Sequence, residues 1–525
     1  MNLYSDLDSK DLVANVDAIM KKAEDISLDT IEPTRDKMWE IIYIVRDFVI
    51  EKKRKIYGGF ALNKLIEAVA PEDKFYDDDN IKAWDIDFYS PYPIEDAKEI
   101  ADRLYAKGFK HIVAREAQHE ETYKIFVETI DCADITYMPS KIYNKVSFRE
   151  VNKLTLTAPH FMMIDYFRVL TDPMTSYFRL EKTFVRLCLL LKYNPIPKNN
   201  SPIKIAPPNA ALDVAFHTVN DFLIDRKSTI VVGMYAYNHL INVSKINKQD
   251  KKQVRGKKGR NTGIDFTDVN YYEIISTAYK EDARELILKL KEKFPNNDKI
   301  TYVEHSPFFQ YFGESVNIYY NKIMVCKVYN HNNRCTPFFD VPALYFKDGG
   351  YDEYSGKIRI GTFAVQILYN LINTVKAKTD DDQNTRDVYY ALLSHLSEMR
   401  NYYFAKTSKT IFDESLFQEF VLNCVGYTQT PQMEKAERIE KKKKLGKLYS
   451  WNYNPEKPHD DKHKYYFKNT LGEPVSKGKI KLDKNNVSDS DNDSDNSEYS
   501  ESDSESDSES SNHNKDDVSN HDSDN

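Results

Sequence analysis

Cysteine and long apolar runs are both scarce in this chain of 525 residues. The five cysteines (Cys132, Cys188, Cys326, Cys335 and Cys424) have no CxxC spacing, and their odd number argues against a disulfide framework or a clustered zinc site. No apolar run approaches the roughly 18 residues of a membrane span, and the amino terminus is acidic where a signal peptide would be basic and then apolar. We therefore expect a soluble intracellular protein in a reducing compartment, with no membrane partner.

The negative charge of the chain is concentrated at its C-terminal end. The formal net charge is −8, but residues 488–525 contain fourteen acids and one lysine. Residues 1–487 therefore carry 73 basic and 68 acidic side chains, a net charge of +5. This mildly basic body leaves nucleic acid open as a partner. The acidic, serine-rich end has no residues with which to build a core, so we predict that it is disordered.

A strand–glycine–helix pattern begins at Lys55. The sequence predicts a short strand at Lys55-Ile56-Tyr57, a turn at Gly58-Gly59 and a helix over residues 60–69. Glycines at such a position let backbone N–H groups approach a polyphosphate, because no Cβ is in the way and the helix dipole favours an anion. A tight turn is an equally common use of a glycine pair. Asn63, in the first part of the helix, is a candidate contact for a sugar hydroxyl or phosphate, or else a surface polar residue.

Asp85 and Asp87 lie two residues apart in a predicted strand, Trp84 to Tyr89. Alternation in a strand places both carboxylates on the same face, where they repel each other unless a cation neutralises them. A hard cation such as Mg²⁺ suits them, because it accepts carboxylate and phosphate oxygens together. A lone pair of this kind is more often solvent-facing on an edge strand, but the nearby glycines favour a nucleoside triphosphate site.

A two-metal site needs a further carboxylate from a neighbouring strand. The strand-like run from Tyr123 to Met138 offers Glu128, Asp131 and Asp134. Asp131 and Asp134 are an odd number of positions apart, so they point to opposite faces of a regular strand. We choose Asp134, which is flanked by Ala133 and Ile135. Asp131 takes its place if a bulge changes the phase.

A long helix is predicted from Pro173, with Asp172 as its N-cap, to about Lys192. Helical spacing gathers three cations on one face, namely Arg179, Lys182 and Arg186. They are candidates for neutralising triphosphate or product phosphates, and the alternative is a solvated helix face.

The sequence contains an internal repeat. Residues 56–66 align without gaps on residues 231–241, at an offset of 175, and residues 95–100 align on 281–286, at an offset of 186. A basic insertion at Lys251 to Arg260 absorbs the difference. We predict two copies of one folding unit.

The second copy lacks part of the acidic pair. At the offset of 186, Tyr271 and Glu273 stand where the first copy has Asp85 and Asp87. We therefore predict that the first copy carries the chemistry and the second copy serves as architecture or as a binding surface.

The predicted fold class is α/β (α+β), with two copies of one unit, the second degenerate, together with helical additions and the disordered tail. We divide the chain into a helical lead-in (1–55), a catalytic unit (56–195), a degenerate unit (201–350), a helical part (351–430), a basic segment (431–487) and the acidic tail (488–525). The basic segment includes the run Lys441 to Lys444.

The combination of Gly58-Gly59, Asp85-Ile86-Asp87 and a later aspartate resembles the polymerase-beta-type nucleotidyltransferase superfamily. A working copy followed by a degenerate one, together with Ala133-Asp134-Ile135, is similar to the poly(A) polymerase catalytic subunits of nucleocytoplasmic large DNA viruses, of the mimivirus type. The resemblance implies that Asp85, Asp87 and Asp134 are catalytic metal ligands. It implies nucleotide binding at Gly58, Gly59, Asn63, Arg179 and Lys182.

The resemblance also implies an activity and its partners. The enzyme would add AMP from ATP to an mRNA 3′ end without a template, using Mg²⁺ or Mn²⁺ in a two-metal mechanism. It would act in the virion and the host cytoplasm, and a second copy of the chain is a candidate partner. Two alternatives remain at this point: a nucleotidyltransferase for another base or acceptor, such as a CCA-adding or uridylyl-adding enzyme, and a non-catalytic RNA-binding scaffold.

Overall fold

The computed structural model describes residues 3–31, 33–77, 84–128, 130–199, 203, 210–248, 264–294, 299–444, 450–457, 467–468 and 470–482. The basic insertion at Lys251 to Arg260 and the acidic tail both lie outside the described residues.

Helices and short strands alternate along the chain. The helices are α1 (Asp6–Thr30), α2 (Arg35–Glu51), α3 (Gly58–Glu67), α4 (Pro93–Ala106), α5 (Ser140–Lys145), α6 (Pro159–Leu170), α7 (Leu180–Tyr193), α8 (Ala210–Leu223), α9 (Gly233–Ser244), α10 (Tyr279–Lys293), α11 (Phe363–Thr379), α12 (Gln383–Lys406) and α13 (Pro431–Lys444). The strands are β1 (Lys55–Ile56), β2 (Ile86–Ser90), β3 (Ile112–Glu116), β4 (Thr122–Val127), β5 (Ile130–Tyr137), β6 (Phe148–Val151), β7 (Leu154–Thr157), β8 (Thr229–Val232), β9 (Tyr272–Ser276), β10 (Ile300–His305), β11 (Ser315–Tyr320), β12 (Ile323–Asn330), β13 (Thr336–Lys347), β14 (Gly350–Gly361), β15 (Cys424–Val425) and β16 (Asn452–Tyr453).

The strands form two mixed sheets with the same internal order. The first sheet has the order β16-β3-β4-β5-β2-β1-β7-β6, and the second has β10-β11-β12-β9-β8-β14-β13-β15. In both, the strand before the glycine helix lies antiparallel to the next strand and parallel to a later one. The α+β fold class is confirmed, and the topology shows two copies of one unit.

Strand register confirms both offsets of the predicted repeat. In the first sheet, Ile56 pairs with Phe88. In the second, Val231 pairs with Ile274. The first members of these pairs are 175 residues apart and the second members 186, as the alignment predicted.

The repeated segments 95–100 and 281–286 each contribute an aspartate to a buried ion pair. Arg54, just before β1, donates to both carboxylate oxygens of Asp96 on α4, each at 2.7 Å. Arg226, before β8, donates to Asp282 on α10 at 2.6 and 2.9 Å. Each aspartate is almost fully buried, so each unit fastens its first strand to its helix in the same way.

Two predicted elements are wrong in extent. The run from Tyr123 to Met138 is not one strand but the hairpin β4–β5, and Glu128 has φ +57° where the chain turns. The predicted helix at Pro173 begins instead at Leu180. The Asp172 carboxylate accepts hydrogen bonds from the backbone and hydroxyl of Thr175, and this closes a turn rather than capping a helix.

The second sheet also extends beyond the predicted limits of its unit. Strand β14 reaches Gly361, although residues after 350 were expected in the helical part. Strand β16, from the basic segment, pairs with β3 at the edge of the first sheet. Cys335 and Cys424 form a disulfide between β13 and β15, which the expectation from cysteine spacing missed.

One apolar cluster crosses from the first unit into the second. It contains Phe48 and Leu62 of the first unit, Phe161 and Ile164 on α6, and side chains of α9, α11 and α12. A second cluster fills the space between the second sheet and its helices α8 and α10. In the described residues, no helix is both long and apolar enough to cross a bilayer.

Candidate active site

The first helix of the repeat starts directly against a carboxylate. The Tyr57 N–H donates to the carbonyl of Asp87 at 2.9 Å, so β1 and β2 hold the two segments together. Gly58, the first residue of α3, has φ +77°, and a Cβ built on it would collide with Asp87 Oδ2. Only glycine combines this backbone conformation with so close an approach. The Asp87 side chain therefore lies at the N-terminal end of α3.

The structure brings the three predicted aspartates together. Asp87 and Asp134 are direct register partners on the parallel strands β2 and β5, and Asp85 immediately precedes β2. The pKa of Asp85 is raised to about 7, mainly by loss of hydration and also by the Asp134 and Asp131 carboxylates. Desolvation also raises the pKa of Asp87 well above its ordinary value, with Asp85 and Asp134 adding to the effect. Such mutual repulsion shows a cluster with an excess of negative charge.

Lys124 is part of this cluster, and the sequence reasoning missed it. Its Nζ contacts Asp131 Oδ2 and lies 2.7 Å from Asp134 Oδ1. It stands on β4 directly opposite Asp134. A lysine within the alternating run before Asp131 was the available signal.

Asp131 and Asp134 reach the same lysine because the strand is irregular. The register of β4 with β5 shifts between Ile125 and Phe126, which adds a residue on β5. Both carboxylates therefore lie on one side, as the bulge alternative required. The two residues are not exclusive candidates for the third position.

The donor set fits a divalent cation, although it is not a finished cage. Across the described ranges, no three acidic, histidine or cysteine side chains are grouped tightly enough to enclose a metal ion by themselves. Mg²⁺ needs only one or two carboxylates, since water and substrate phosphates supply its other ligands. Asp131 Oδ1 is buried and has no hydrogen-bond partner among the described residues, which leaves an acceptor available beside the cluster. These residues can therefore hold Mg²⁺ or Mn²⁺.

Two of the three cations on α7 face this site. Arg186 donates to the Tyr76 hydroxyl at 2.5 Å, and its Nη1 would be 2.8 Å from a Cβ on Gly59. The Lys182 pKa is lowered, first by desolvation and then by Arg186 and Arg179, while Asp87 opposes the shift. Lys182 is thus within electrostatic reach of the acidic cluster. Arg179 is exposed at the start of α7, with its guanidinium 5.4 Å from the Phe178 ring.

Asn63 holds a loop of its own unit. Its side chain is buried, and its Oδ1 accepts the backbone N–H groups of Phe75 and Tyr76 at 2.9 and 3.0 Å. The equivalent Asn238 accepts from Thr267 N–H at 3.1 Å and donates to its carbonyl at 2.7 Å. In both units this asparagine therefore holds the loop that leads to the second strand, and the nucleotide contact of Asn63 stays a prediction.

The second unit keeps the geometry of the site with different chemistry. Gly233 has φ +68° and lies against Glu273 just as Gly58 lies against Asp87. Lys327 pairs with Glu273 across β12 and β9, in the place of Asp134. With one carboxylate and one lysine at these positions, the described residues of this unit do not repeat the acidic cluster of the first unit.

In the second unit, the polar groups at the equivalent site are hydrogen-bonded to protein side chains. The Gly233 N–H donates to Gln366 Oε1 at 3.0 Å. Glu273 Oε1 accepts hydrogen bonds from the hydroxyls of Tyr329 and Tyr389, at 2.9 and 3.2 Å. The backbone donor that would face a phosphate in the first unit is therefore already used.

Comparisons with known proteins agree with this geometry. Residues 43–176 match a family model described as "Poly(A) polymerase catalytic subunit". Residues 206–484 match one described as "APMV, Putative poly(A) polymerase, catalytic subunit, C-terminal". A putative poly(A) polymerase catalytic subunit of Acanthamoeba polyphaga mimivirus is 32% identical over 492 residues, which cover 90% of this chain and 84% of that protein.

Two further relatives differ in how much they cover. A putative poly(A) polymerase catalytic subunit of African swine fever virus is 30% identical over 186 residues, 34% of this chain and 37% of that protein. The crystal structure of the Megavirus polyadenylate synthase superimposes with a TM-score of 0.78 at 31% identity, covering 91% of this chain and 93% of that one. With both units matched in order and over most of their length, the chain belongs to the family of poly(A) polymerase catalytic subunits.

Proposed function

We propose that the first unit performs a two-metal transfer of AMP from ATP to an RNA 3′ end, with Asp85, Asp87 and Asp134 as metal ligands. Family membership makes the chain a template-independent poly(A) polymerase, a polynucleotide adenylyltransferase. The metal ions, the ligand residues and the two substrates are the proposed part. The observation that carries it is the pairing of Asp87 with Asp134 beside Gly58, which the second unit replaces with Glu273 and Lys327.

The three aspartates hold the reacting groups by charge. Asp85, Asp87 and Asp134 would hold Mg²⁺ or Mn²⁺, and the chemistry supplied by that bound cation would be to lower the pKa of the primer 3′-hydroxyl and to stabilise the departing pyrophosphate. Asp87 lies against the start of α3, so its carboxylate has a fixed position relative to the helix N-terminus. Lys124 keeps Asp131 and Asp134 oriented on β5. No covalent intermediate is required, because positioning and charge neutralisation supply the catalysis.

The triphosphate is expected at the glycine turn. Gly58 and Gly59 present an open backbone at the helix N-terminus, where an anion is favoured. Lys182 and Arg186 approach from α7 and are placed to neutralise the phosphates. Arg179 is exposed at the start of the same helix, so we propose that it contacts RNA rather than ATP.

The test is a primer-extension assay with a labelled RNA and each nucleoside triphosphate separately. Asp87→Asn and Asp134→Asn are expected to reduce AMP transfer more than ~100-fold. Glu273→Gln is the matched control at the equivalent place in the second unit, and it should retain activity within about threefold because that unit gathers no metal pair. Unchanged activity in both aspartate variants would refute the proposed mechanism. Equal use of UTP or CTP would refute the choice of ATP.

A further inference from the structure

A small cavity opens between the two units, away from the aspartate cluster. Its volume is about 30 Å³. Arg168 and Thr171 on α6 line it from the first unit, and Tyr311, Asn330 and Arg334 line it from the second. Its lining includes polar side chains from both units.

Arg334 is the arginine that the second unit contributes to this cavity. Its side chain is mostly buried, and within the described residues no carboxylate comes within ion-pair distance of its guanidinium. The pKa of Arg334 is lowered to about 10, mainly by desolvation and also by Arg168, while the more distant carboxylates of Asp172, Glu434 and Asp165 oppose the shift. Arg168 pairs with Asp165 at 3.3 Å. A desolvated guanidinium that makes no ion pair can accept an anion as a direct partner.

The position of Arg334 is fixed by its backbone. The next residue, Cys335, is bonded to Cys424, and the Cys335 N–H donates to the Thr428 hydroxyl at 2.7 Å. The Arg334 carbonyl would be 2.6 Å from a Cβ on Gly426, so the two loops are in close contact. The segment that carries the guanidinium is therefore held against the second sheet.

Further cations connect this cavity with the aspartate cluster. His119, in the β3–β4 loop, has its pKa lowered to about 4, first by desolvation and then by Arg168, Arg179, Arg334 and Arg438. Arg179 also acts on Lys182, which is within reach of Asp87. Arg168, Arg179 and Arg334 therefore act on one side chain, His119, and Arg179 also acts on Lys182. A polyanionic strand fits such a set of cations better than a single small anion does.

We propose that the Arg334 cavity binds a backbone phosphate of the RNA, upstream of the 3′ end that reacts at Asp87. Arg334 and Arg168 supply the charge, and the fixed loop supplies the geometry for a bidentate contact. The inference rests on the proposed function, because it assigns a second contact to the same RNA substrate. Free phosphate or pyrophosphate has the same chemistry and is distinguished by the experiment.

The first experiment measures binding of a fluorescent single-stranded RNA by anisotropy over a series of salt concentrations. Arg334→Gln should weaken binding about tenfold at low salt and reduce the slope of log K against log[salt] by about 0.7, the value for one phosphate contact on a single strand. Arg149→Gln is the control, since it removes an exposed arginine on β6, at the opposite edge of the first sheet from β3 and β4. It should change affinity less than twofold. Equal effects of the two substitutions would overturn the assignment.

Two more variants separate binding from a structural role. Arg334→Lys should restore most of the salt slope but not the full affinity, because lysine cannot make the bidentate contact. Without RNA, Arg334→Gln should leave the unfolding temperature unchanged or raise it, since it removes a desolvated charge that makes no ion pair. A lower unfolding temperature with unchanged RNA affinity would show that Arg334 is structural and would overturn the inference.

A calorimetric titration with inorganic phosphate and pyrophosphate identifies the source of the anion. Binding that needs Arg334, while RNA affinity does not, would overturn the RNA assignment. At saturating RNA, Arg334→Gln should keep kcat within about threefold and raise the KM for RNA. If Arg334→Gln binds RNA normally while AMP transfer proceeds, the inference fails alone. If the wild type transfers no AMP but its RNA binding depends on Arg334, the proposed function fails alone.

Discussion

Gly58 is where the backbone and the acidic cluster touch. Its positive φ and the closeness of Asp87 each exclude a side chain for a separate reason, one conformational and one steric. Gly108 offers the conformational reason alone, since it has φ +95° but nothing within 4 Å of a built Cβ. Comparing substitutions at Gly58 and Gly108 therefore separates the effect of backbone strain from the effect of a steric clash.

Gly58→Ala should abolish most AMP transfer, because the new methyl group must displace the Asp87 carboxylate. Gly108→Ala should cost about 1–2 kcal/mol of stability, the usual penalty for a left-handed L-residue, with activity unchanged. Thermal unfolding and primer extension measure the two effects. Full activity in Gly58→Ala would show that Asp87 is not confined by the helix start.

Lys327, opposite Glu273 in the second unit, is a desolvated lysine. Burial lowers its pKa to about 8, with Glu273 and Asp380 opposing the shift and Lys376 adding to it. Below this pH the lysine is charged in both the folded and the unfolded state. Between about 8 and the ordinary value of 10.5, the unfolded state binds more protons, so the free energy of unfolding rises with pH.

Lys327→Met should remove this rise. The wild type should gain up to about 1.4 kcal/mol per pH unit relative to the variant between pH 8 and 10. Urea denaturation at several pH values measures the difference, and the comparison with wild type cancels other groups such as Lys55. Parallel pH profiles for the two proteins would contradict the lowered pKa.

At the scale of elements, α1 and α2 differ in how they are held. Helix α1 has no buried residue, and Leu7, Leu12 and Ile19 are exposed. Its links to the rest include ion pairs of Arg35 with Asp25 and Asp29, of a kind worth little at a surface. Helix α2 instead buries Ile41, Val45 and Phe48 in the main core.

Removal of residues 1–31 should therefore lower the unfolding temperature by about 3 °C or less, since surface pairs contribute only ~1 kcal/mol. Removal of residues 1–52 should prevent folding, because each large apolar side chain lost from the core costs about 2–5 kcal/mol. Circular dichroism during heating tests both. A large loss in the shorter deletion would show that α1 packs on the folded body.

Sequence patterns predicted some helices and strands correctly and missed the bounds of others. The glycine pair is a local signal, and a helix is present there as expected, although α3 begins at Gly58 and ends at Glu67 rather than covering residues 60–69. The hairpin β4–β5 was missed because the sequence around its turn at Glu128 contains no Gly, Pro or Asn, the residues that usually mark a turn. The helix at Pro173 was misplaced because an N-cap pattern also fits the Asp172 turn.

On the scale of the whole molecule, the two units share their interior. Helix α6 of the first unit packs on α11 of the second, and the main apolar cluster includes residues from both. Neither unit can bury its apolar surface alone. The interface is therefore closer to a divided core than to a hinge between domains.

Calorimetry should accordingly show one main unfolding transition for the two units. A fragment ending at residue 199 should aggregate or remain unfolded, because Phe161 and Ile164 lose their cover. Two well-separated transitions, or a folded and monomeric fragment, would contradict a shared core.

The sequence by itself determined the repeat, the glycine turn, the shared face of Asp85 and Asp87, and the loss of an acid in the second unit. These follow from spacing, which acts over a few residues or between aligned copies. Only the tertiary structure decided that Lys124 joins Asp131 and Asp134, that the Gly233 N–H donates to Gln366, and that Arg334 lines a cavity together with Arg168. Each depends on strands or loops brought together from distant parts of the chain, where periodicity carries no information about which side chains meet.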